Sequence, residues 1–183
     1  GRWVGFYSGT FDRGELKKVS VSGGTPLTLA QVGVTCGGSW SSEGMIVLGS
    51  DHGPLKKVPA TGGSPQELTQ LQEGESSHRW PQFLPGGHSV LFISYTSAGE
   101  GQIEVADVES GQRKVIRRGG RYPRYVASGH LLYSDGGTLF AVPFDLKRLE
   151  TRGEAVPVME GLMADGFPDG AVHYSVADDG ILI

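Results

Sequence analysis

Few side chains in this chain suit catalysis or tight ion binding, and they are spread along its length. Histidine, carboxylate and arginine groups that meet at one point can bind a metal ion or an anionic ligand. Eight such residues fall in or beside loops that the repeat described below brings to one end of the molecule, and we expect them to bind a ligand there. They are Asp51, His52, Glu75, His78, Arg79, Arg121, Asp135 and His173.

A metal site is one hypothesis for part of this set. The candidate metal ligands are Asp51, His52, His78, Asp135 and His173. A bound metal could activate water for hydrolysis, and carboxylate-rich loops would suit calcium, whereas histidines would suit zinc. Their spacing matches no compact metal-binding motif, so the sequence firmly implies no cofactor.

Nucleophilic catalysis has weaker support. Ser77 and His78 are adjacent, and adjacent side chains rarely point at each other; no Gly-x-Ser-x-Gly turn occurs. Cys36 is the only cysteine, which excludes a disulfide framework, and we expect it to be a small structural residue rather than a nucleophile. The sequence therefore favours a protein that is not an enzyme. If the chain does have catalytic activity, we expect a metal-dependent hydrolase of the lactonase or phosphotriesterase kind.

Four arginines lie within eight positions: Arg117, Arg118, Arg121 and Arg124. Such a group could hold a phosphate or a carboxylate. A solvated loop balanced by acidic neighbours is the simpler interpretation.

The elements that must position these residues are marked by glycines, which number 30 in 183 residues. Gly1, Gly44, Gly87, Gly129 and Gly180 each precede a short apolar stretch, at intervals of 43, 43, 42 and 51 residues. A propeller blade takes about 40 to 45 residues. The period therefore predicts successive blades, whereas a β-sandwich predicts no constant period.

A second repeat supports four strands in each unit. The sequence Leu-Lys-Lys-Val occurs at residues 16–19 and 55–58, and each copy is followed by a Gly-Gly turn. An aromatic segment precedes each turn glycine, and we expect Trp40 and Trp80 to occupy matching positions that suit packing between blades. We predict an all-β fold, a β-propeller of four-stranded antiparallel blades with about four blades in this chain.

One domain is expected over residues 1–183. Its first blade contributes its outer three strands over about 1–31, and three full blades follow at about 38–70, 79–117 and 122–160. A partial fifth blade covers about 171–183, and its first strand, near 172–177, could complete the first blade and close the ring. If the ring stays open, its unpaired edges should pair with another copy, which predicts a partial or self-assembling propeller.

Composition excludes several classes of protein. The net charge of −4 argues against a nucleic-acid partner. No apolar run approaches the roughly 20 residues needed to cross a bilayer, so membrane insertion is not expected. Residues 1–10 lack the features of a signal peptide.

Three turns resemble those of the TolB-like or WD40-like (PD40) β-propellers of bacteria, where a Trp-Ser-Pro-Asp-Gly type sequence precedes an apolar strand. Here they read Trp40-Ser41-Ser42-Glu43-Gly44, Phe83-Leu84-Pro85-Gly86-Gly87 and Val176-Ala177-Asp178-Asp179-Gly180. Glu43 and Gly86 depart from the Asp of the family pattern.

Three longer runs are similar to the propeller region that follows many bacterial serine/threonine kinase domains. They are residues 77–85, 125–133 and 137–145, and none of the kinase's own motifs is present. This resemblance implies a sensor or interaction propeller, usually six-bladed and extracytoplasmic or periplasmic.

Three functions follow from these observations. The first is a module that binds a peptide, a protein or a small molecule, as part of a larger bacterial protein. The second is the metal-dependent hydrolase, with its site at the channel mouth. The third is an architectural fragment that gains stability by self-association.

Overall fold

The computed structural model describes residues 1–10, 13–163 and 171–177, and within them it contains sixteen β-strands and no helix. The strands form four antiparallel sheets, each built from consecutive strands. We number these sheets as blades 1 to 4 in chain order. The prediction of an all-β propeller with about four blades is thereby confirmed. No helix that could span a membrane is found among the described residues.

The first two blades are the smaller ones. Blade 1 has three strands in the order of the sequence: β1 (Trp3–Gly9), β2 (Gly14–Ser20) and β3 (Leu27–Val32). Blade 2 has four: β4 (Gly38–Trp40), β5 (Met45–Leu48), β6 (Lys56–Pro59) and β7 (Gln66–Glu67).

Blades 3 and 4 contain more residues in strands. Blade 3 consists of β8 (Glu75–Phe83), β9 (Ser89–Thr96), β10 (Gly101–Asp107) and β11 (Arg113–Arg118). Blade 4 consists of β12 (Arg121–Val126), β13 (His130–Asp135), β14 (Thr138–Asp145), β15 (Glu150–Thr151) and β16 (Val156–Met159). The two-residue β15 pairs with the end of β14, and β16 pairs with an earlier part of β14. Blade 4 therefore has five strands, one more than the predicted four.

The central strand β9 shows why the blades stack face to face. Successive side chains of a strand point to opposite faces of its sheet. Val90 and Phe92 pack with Val47 of blade 2, whereas Leu91 packs with Leu131 of blade 4. A sheet that is buried on both faces needs a nearly continuous apolar strand, which is the composition of β9.

The core is accordingly divided into layers between neighbouring blades. Leu16 and Leu29 of blade 1 meet Ile46 and Leu48 of blade 2 in the first layer. Beyond blade 4, residues 171–177 cover part of its outer face, where Val172 and Tyr174 are buried.

The blade 1 sheet has three strands, and residues 172–177 are not among them. The suggestion that this segment completes the first blade is therefore not met in the described structure. The remainder of the predicted fifth blade, 178–183, lies outside the described residues.

Candidate functional site

The innermost strands of the blades share a distortion. Trp80 in β8 and Tyr122 in β12 have left-handed backbones, with φ of 55° and 51°, and Gly37 just before β4 has a φ of 81°. Bulky residues rarely adopt this conformation. The pairing register shifts at the same places in β8 and β12, as expected for β-bulges. The distortion therefore recurs in three successive blades.

This recurrence corrects one interpretation of the sequence. Trp80 corresponds to Gly37 and Tyr122, whereas Trp40 pairs with Ile46 at the end of its strand. Trp40 and Trp80 therefore do not occupy matching positions. Trp80 fills the space beside Gly37, where an added Cβ atom would lie 2.6 Å from the indole ring.

The rings of Trp80 and Tyr122 form a row with the ring of Tyr174, which lies in the segment on blade 4. The centroids of Trp80 and Tyr122 are 5.1 Å apart, and those of Tyr122 and Tyr174 are 5.3 Å apart. The Tyr174 hydroxyl donates a hydrogen bond to the Tyr122 carbonyl at 2.5 Å. Arg124 lies over the Tyr122 ring at 4.1 Å and donates to the Trp80 carbonyl. We call Trp80, Tyr122 and Tyr174 the aromatic row.

Three of the predicted site residues meet where blades 2 and 3 adjoin. The Arg79 guanidinium lies 3.1 Å from the Asp51 carboxylate and 3.0 Å from the Asp51 carbonyl, and its Nε donates to Ser77. Arg79 is buried and lies over the Tyr95 ring. His52 is 3.6 Å from the Asp51 carboxylate, but its side chain is 86% exposed. Arg79 thus connects the loop of Asp51 to β8.

Glu75 belongs to a buried ionic network. Arg113 donates two hydrogen bonds to the Glu75 carboxylate, at 2.9 and 2.5 Å, and two to Glu104, both at 2.9 Å. The Ser94 hydroxyl and the backbone N–H of Gln72 also donate to Glu75. Burial alone would raise the pKa of Glu75, but these hydrogen bonds outweigh it and lower the pKa to about 2.

His78 continues this network into the interface with blade 2. Its Nε2 lies 3.2 Å from the Glu75 carboxylate, and its Nδ1 lies 2.7 Å from the Thr69 hydroxyl. Burial, together with the nearby charge of Arg113, lowers the pKa of His78 to about 4, so the ring is neutral at pH 7. An ionised carboxylate only accepts hydrogen bonds, so Nε2 carries the proton and Thr69 donates to Nδ1.

Arg113 and Glu104 also belong to this network, although neither was expected from the sequence to be a site residue. Glu104 is 1% exposed and stands between the buried Ile103 and Val105. An acidic residue inside an apolar strand signals a buried partner, because an unpaired buried charge is very costly. The four residues Glu75, His78, Glu104 and Arg113 form what we call the blade 3 network, whose hydrogen-bonding groups are directed at one another.

Arg121 and Asp135 lie elsewhere, in a cavity of about 490 Å³ between blades 3 and 4. Arg118 and Glu100 line the same cavity, together with the backbone of Gly119 and Gly120. Both glycines have left-handed backbones, with φ of 77° and 83°, and form the turn from β11 to β12. We call this space, lined by Glu100, Arg118, Arg121 and Asp135, the arginine cavity.

The predicted site residues therefore occupy separate places. Asp51, His52 and Arg79 lie at the junction of blades 2 and 3, Glu75 and His78 are in the blade 3 network, Arg121 and Asp135 line the arginine cavity, and His173 lies in the segment on blade 4. No group of three or more histidine, cysteine or carboxylate side chains could hold a metal ion within the described ranges. The five candidate metal ligands do not form a common site in the described structure.

No family model and no curated protein matches this sequence. Solved structures do match its fold. An oligogalacturonate lyase in complex with manganese superposes with a TM-score of 0.66 at 13% identity, covering 98% of this chain and 61% of the lyase. TolB from Acinetobacter baumannii superposes with a TM-score of 0.64 at 17% identity, covering 97% of this chain and 45% of TolB.

A third match is the Dos1 propeller, with a TM-score of 0.63 at 11% identity, covering 97% of this chain and 49% of that one. This chain thus spans 45% to 61% of the lengths of the three proteins. Their identities are too low to carry function, so they establish the fold alone. By these matches and by its four sheets, the chain is a β-propeller in fold, with about four blades.

Proposed function

We propose that this chain is a non-catalytic binding module that holds an acidic group of a peptide, protein or small molecule in the arginine cavity. One observation carries the proposal. Arg118 and Arg121 line the same cavity, and neither guanidinium forms an ion pair or hydrogen bond within the described part of the chain. By contrast, Arg79, Arg113 and Arg124 are engaged by protein partners.

The chemistry of arginine suits this role. Its planar guanidinium can form two parallel hydrogen bonds with a carboxylate or a phosphate. At about 490 Å³ the cavity falls within the usual range of about 300 to 1,000 Å³ for small-molecule sites. Arg118 ends β11 and Arg121 begins β12, so the two charges are held on opposite sides of one tight turn.

The cavity also offers negative charge. Glu100 and Asp135 line it together with the two arginines, and both carboxylates are exposed. A ligand that carries an ammonium group as well as a carboxylate would satisfy both signs of charge. This pattern favours a peptide over a purely anionic ligand such as phosphate.

No observation in the described residues favours the hydrolase alternative. Its candidate ligands are in separate places, and Glu75 and His78 are committed to the blade 3 network. From the resemblance to kinase-associated propellers we carry over, as part of the proposal, a sensor or interaction role within a larger bacterial protein, outside the cytoplasm.

The test is a titration of the ¹⁵N-labelled protein with the dipeptide Gly-Glu, followed by NMR. At about 10 mM even a millimolar ligand occupies most sites. We expect amide shifts confined to Gly99–Gln102 and Arg118–Arg121, and a much weaker response when the dipeptide carries an N-terminal acetyl group. Absence of localised shifts with either form would overturn the proposal.

A further inference from the structure

The turn between β11 and β12 packs directly on one aromatic side chain. A Cβ atom added to Gly120 would lie 2.8 Å from the Cδ2 atom of Tyr133 and 3.3 Å from the Ile103 side chain. Only glycine lets the backbone come this close to the ring, and Gly120 has a left-handed backbone as well. The Tyr133 ring therefore holds the backbone of Gly120 in place.

Tyr133 is itself held in the core layer between blades 3 and 4. The residue is 1% exposed, and its ring stacks on Phe140 with 5.5 Å between the centroids and 14° between the planes. The Arg117 guanidinium lies 4.3 Å from the centroid of the Tyr133 ring. Close packing of this kind leaves a side chain little room to move, so Tyr133 is suited to positioning its neighbours.

The turn also contacts the start of β10. The Gly119 amide donates to the Gly101 carbonyl at 2.9 Å, and a Cβ atom added to Gly101 would lie 3.1 Å from the Gly120 carbonyl oxygen. The turn is thus held both by β10 of blade 3 and by Tyr133 of blade 4.

The backbone amide of Gly120 has no acceptor in this arrangement. Gly120 is buried and lines the arginine cavity, yet its N–H donates no hydrogen bond within the described part of the chain. Buried backbone amides without an acceptor are rare in proteins, and leaving one unpaired costs free energy. Together with the guanidinium groups of Arg118 and Arg121, three donor groups along four residues lack an acceptor among the described residues.

We propose that the Gly120 amide donates a hydrogen bond to the acidic group of the ligand, and that Tyr133 is the positioning residue for this amide. This inference rests on the proposed function, because it concerns the same cavity. A carboxylate has about four lone-pair positions on its two oxygens, so it can accept from the amide and from both guanidinium groups at once. The amide is already fixed by the fold, whereas the exposed side chains of Arg118 and Arg121 must be ordered when the ligand binds.

The first test follows the ¹⁵N-labelled wild-type protein by NMR during titration with the dipeptide Gly-Glu. The amide proton of Gly120 should move downfield further than any other and should exchange more slowly with solvent, because it gains a charged acceptor. Shifts elsewhere in the cavity with the Gly120 amide unmoved would overturn this inference and leave the proposed function standing. Absence of shifts throughout the cavity would overturn both.

The second test compares the dissociation constants of Gly-Glu for variants that circular dichroism shows to be folded. Tyr133→Leu removes the ring and should weaken binding about tenfold, which corresponds to the loss of one hydrogen bond to a charged group. The conservative Tyr133→Phe keeps the ring that contacts Gly120 and should rescue binding to the wild-type level. Tyr125→Leu, in the same core layer but outside the cavity, is the matched control. Wild-type binding by Tyr133→Leu, or equal losses in Tyr133→Leu and Tyr133→Phe, would contradict the role of the ring.

A pair of glycine variants tests the same contact without removing a core side chain. Gly120→Ala places a methyl group against Tyr133 and must displace the amide. Gly129→Ala has the same left-handed backbone, with a φ of 81°, but nothing lies within 4 Å of the added methyl. We expect about tenfold weaker binding of Gly-Glu for Gly120→Ala and an unchanged dissociation constant for Gly129→Ala. Wild-type affinity in Gly120→Ala would show that the ligand does not need this amide, and the proposal would be wrong.

Discussion

Arg113, on the outermost strand of blade 3, forms two hydrogen bonds with Glu75, at the start of the innermost strand of the same blade. Two further strands, β9 and β10, separate them in the sheet. The Glu104 carboxylate of β10 completes the pair of acids around the guanidinium. This network therefore ties the inner and outer edges of the blade together on the face that it turns to blade 2.

Replacing Arg113 should destabilise the protein strongly. Arg113→Met leaves Glu75 and Glu104 buried without a counter-charge, and breaking a buried pair by removing one partner costs about 3 to 5 kcal/mol. Urea unfolding measures the loss. Arg118→Met removes an exposed arginine five residues away and should change the free energy of unfolding by less than about 0.5 kcal/mol. Equal effects of the two substitutions would mean that the network contributes little.

Stability should fall in acid in two stages. His78 has a pKa of about 6.5 in the unfolded protein and about 4 in the folded protein. Between these values the unfolded protein binds a proton that the folded protein does not, so the free energy of unfolding decreases as the pH falls from 6.5 to 4. Glu75 has an unfolded pKa near 4.5 and a folded pKa of about 2, so its contribution is present above pH 4.5 and is lost towards pH 2.

Urea unfolding from pH 7 to pH 3 measures this profile. In His78→Gln the slope between pH 6.5 and 4 should flatten, while the slope below pH 4.5 should persist. If the stability of His78→Gln fell between pH 6.5 and 4 as steeply as that of wild type, other groups would be responsible for this part of the profile.

Gly37 should tolerate alanine less well than a glycine of the same backbone conformation. Gly37 and Gly23 have φ of 81° and 88°, so alanine at either incurs the left-handed penalty of about 1 to 2 kcal/mol. At Gly37 the added methyl also meets Trp80 at 2.6 Å, whereas nothing lies within 4 Å at Gly23. The overpacking should add about 1 to 3 kcal/mol, measured by thermal or urea unfolding. Equal losses would show that Trp80 can move aside freely.

Tyr174 should anchor the segment on blade 4. Burial raises the pKa of its hydroxyl, which donates to the Tyr122 carbonyl. Tyr174→Phe removes this bond and leaves that carbonyl without it, at a cost of about 1 kcal/mol. Hydrogen exchange should accelerate in residues 171–177 while the amides of β13 and β14 keep their protection. Unchanged exchange in the segment would mean that ring packing alone holds it.

The repeat period predicted the fold because each blade needs one turn glycine and one buried strand per unit, as at Gly87 before β9. The site was harder to predict. From the sequence, Arg79 and His78 are expected near Arg121, because all three lie in or beside loops at one end of the molecule. The side chains of Arg79 and His78 instead bond within blades 2 and 3, away from the cavity that Arg121 lines. A position near a loop does not determine which partner a side chain contacts. The bulges at Trp80 and Tyr122 could not be predicted from the sequence either, since their left-handed backbones have no single-residue signature.

If the proposed function is correct, the ligand binds in the arginine cavity and not at the residues around Arg79. The most direct measurement is the dissociation constant of Gly-Glu for Arg121→Ala, with Arg148→Ala, at a side chain 71% exposed on blade 4, as the control for charge. We expect at least about tenfold weaker binding, or 1.4 kcal/mol, for Arg121→Ala and an unchanged dissociation constant for the control. Wild-type affinity in Arg121→Ala would contradict it.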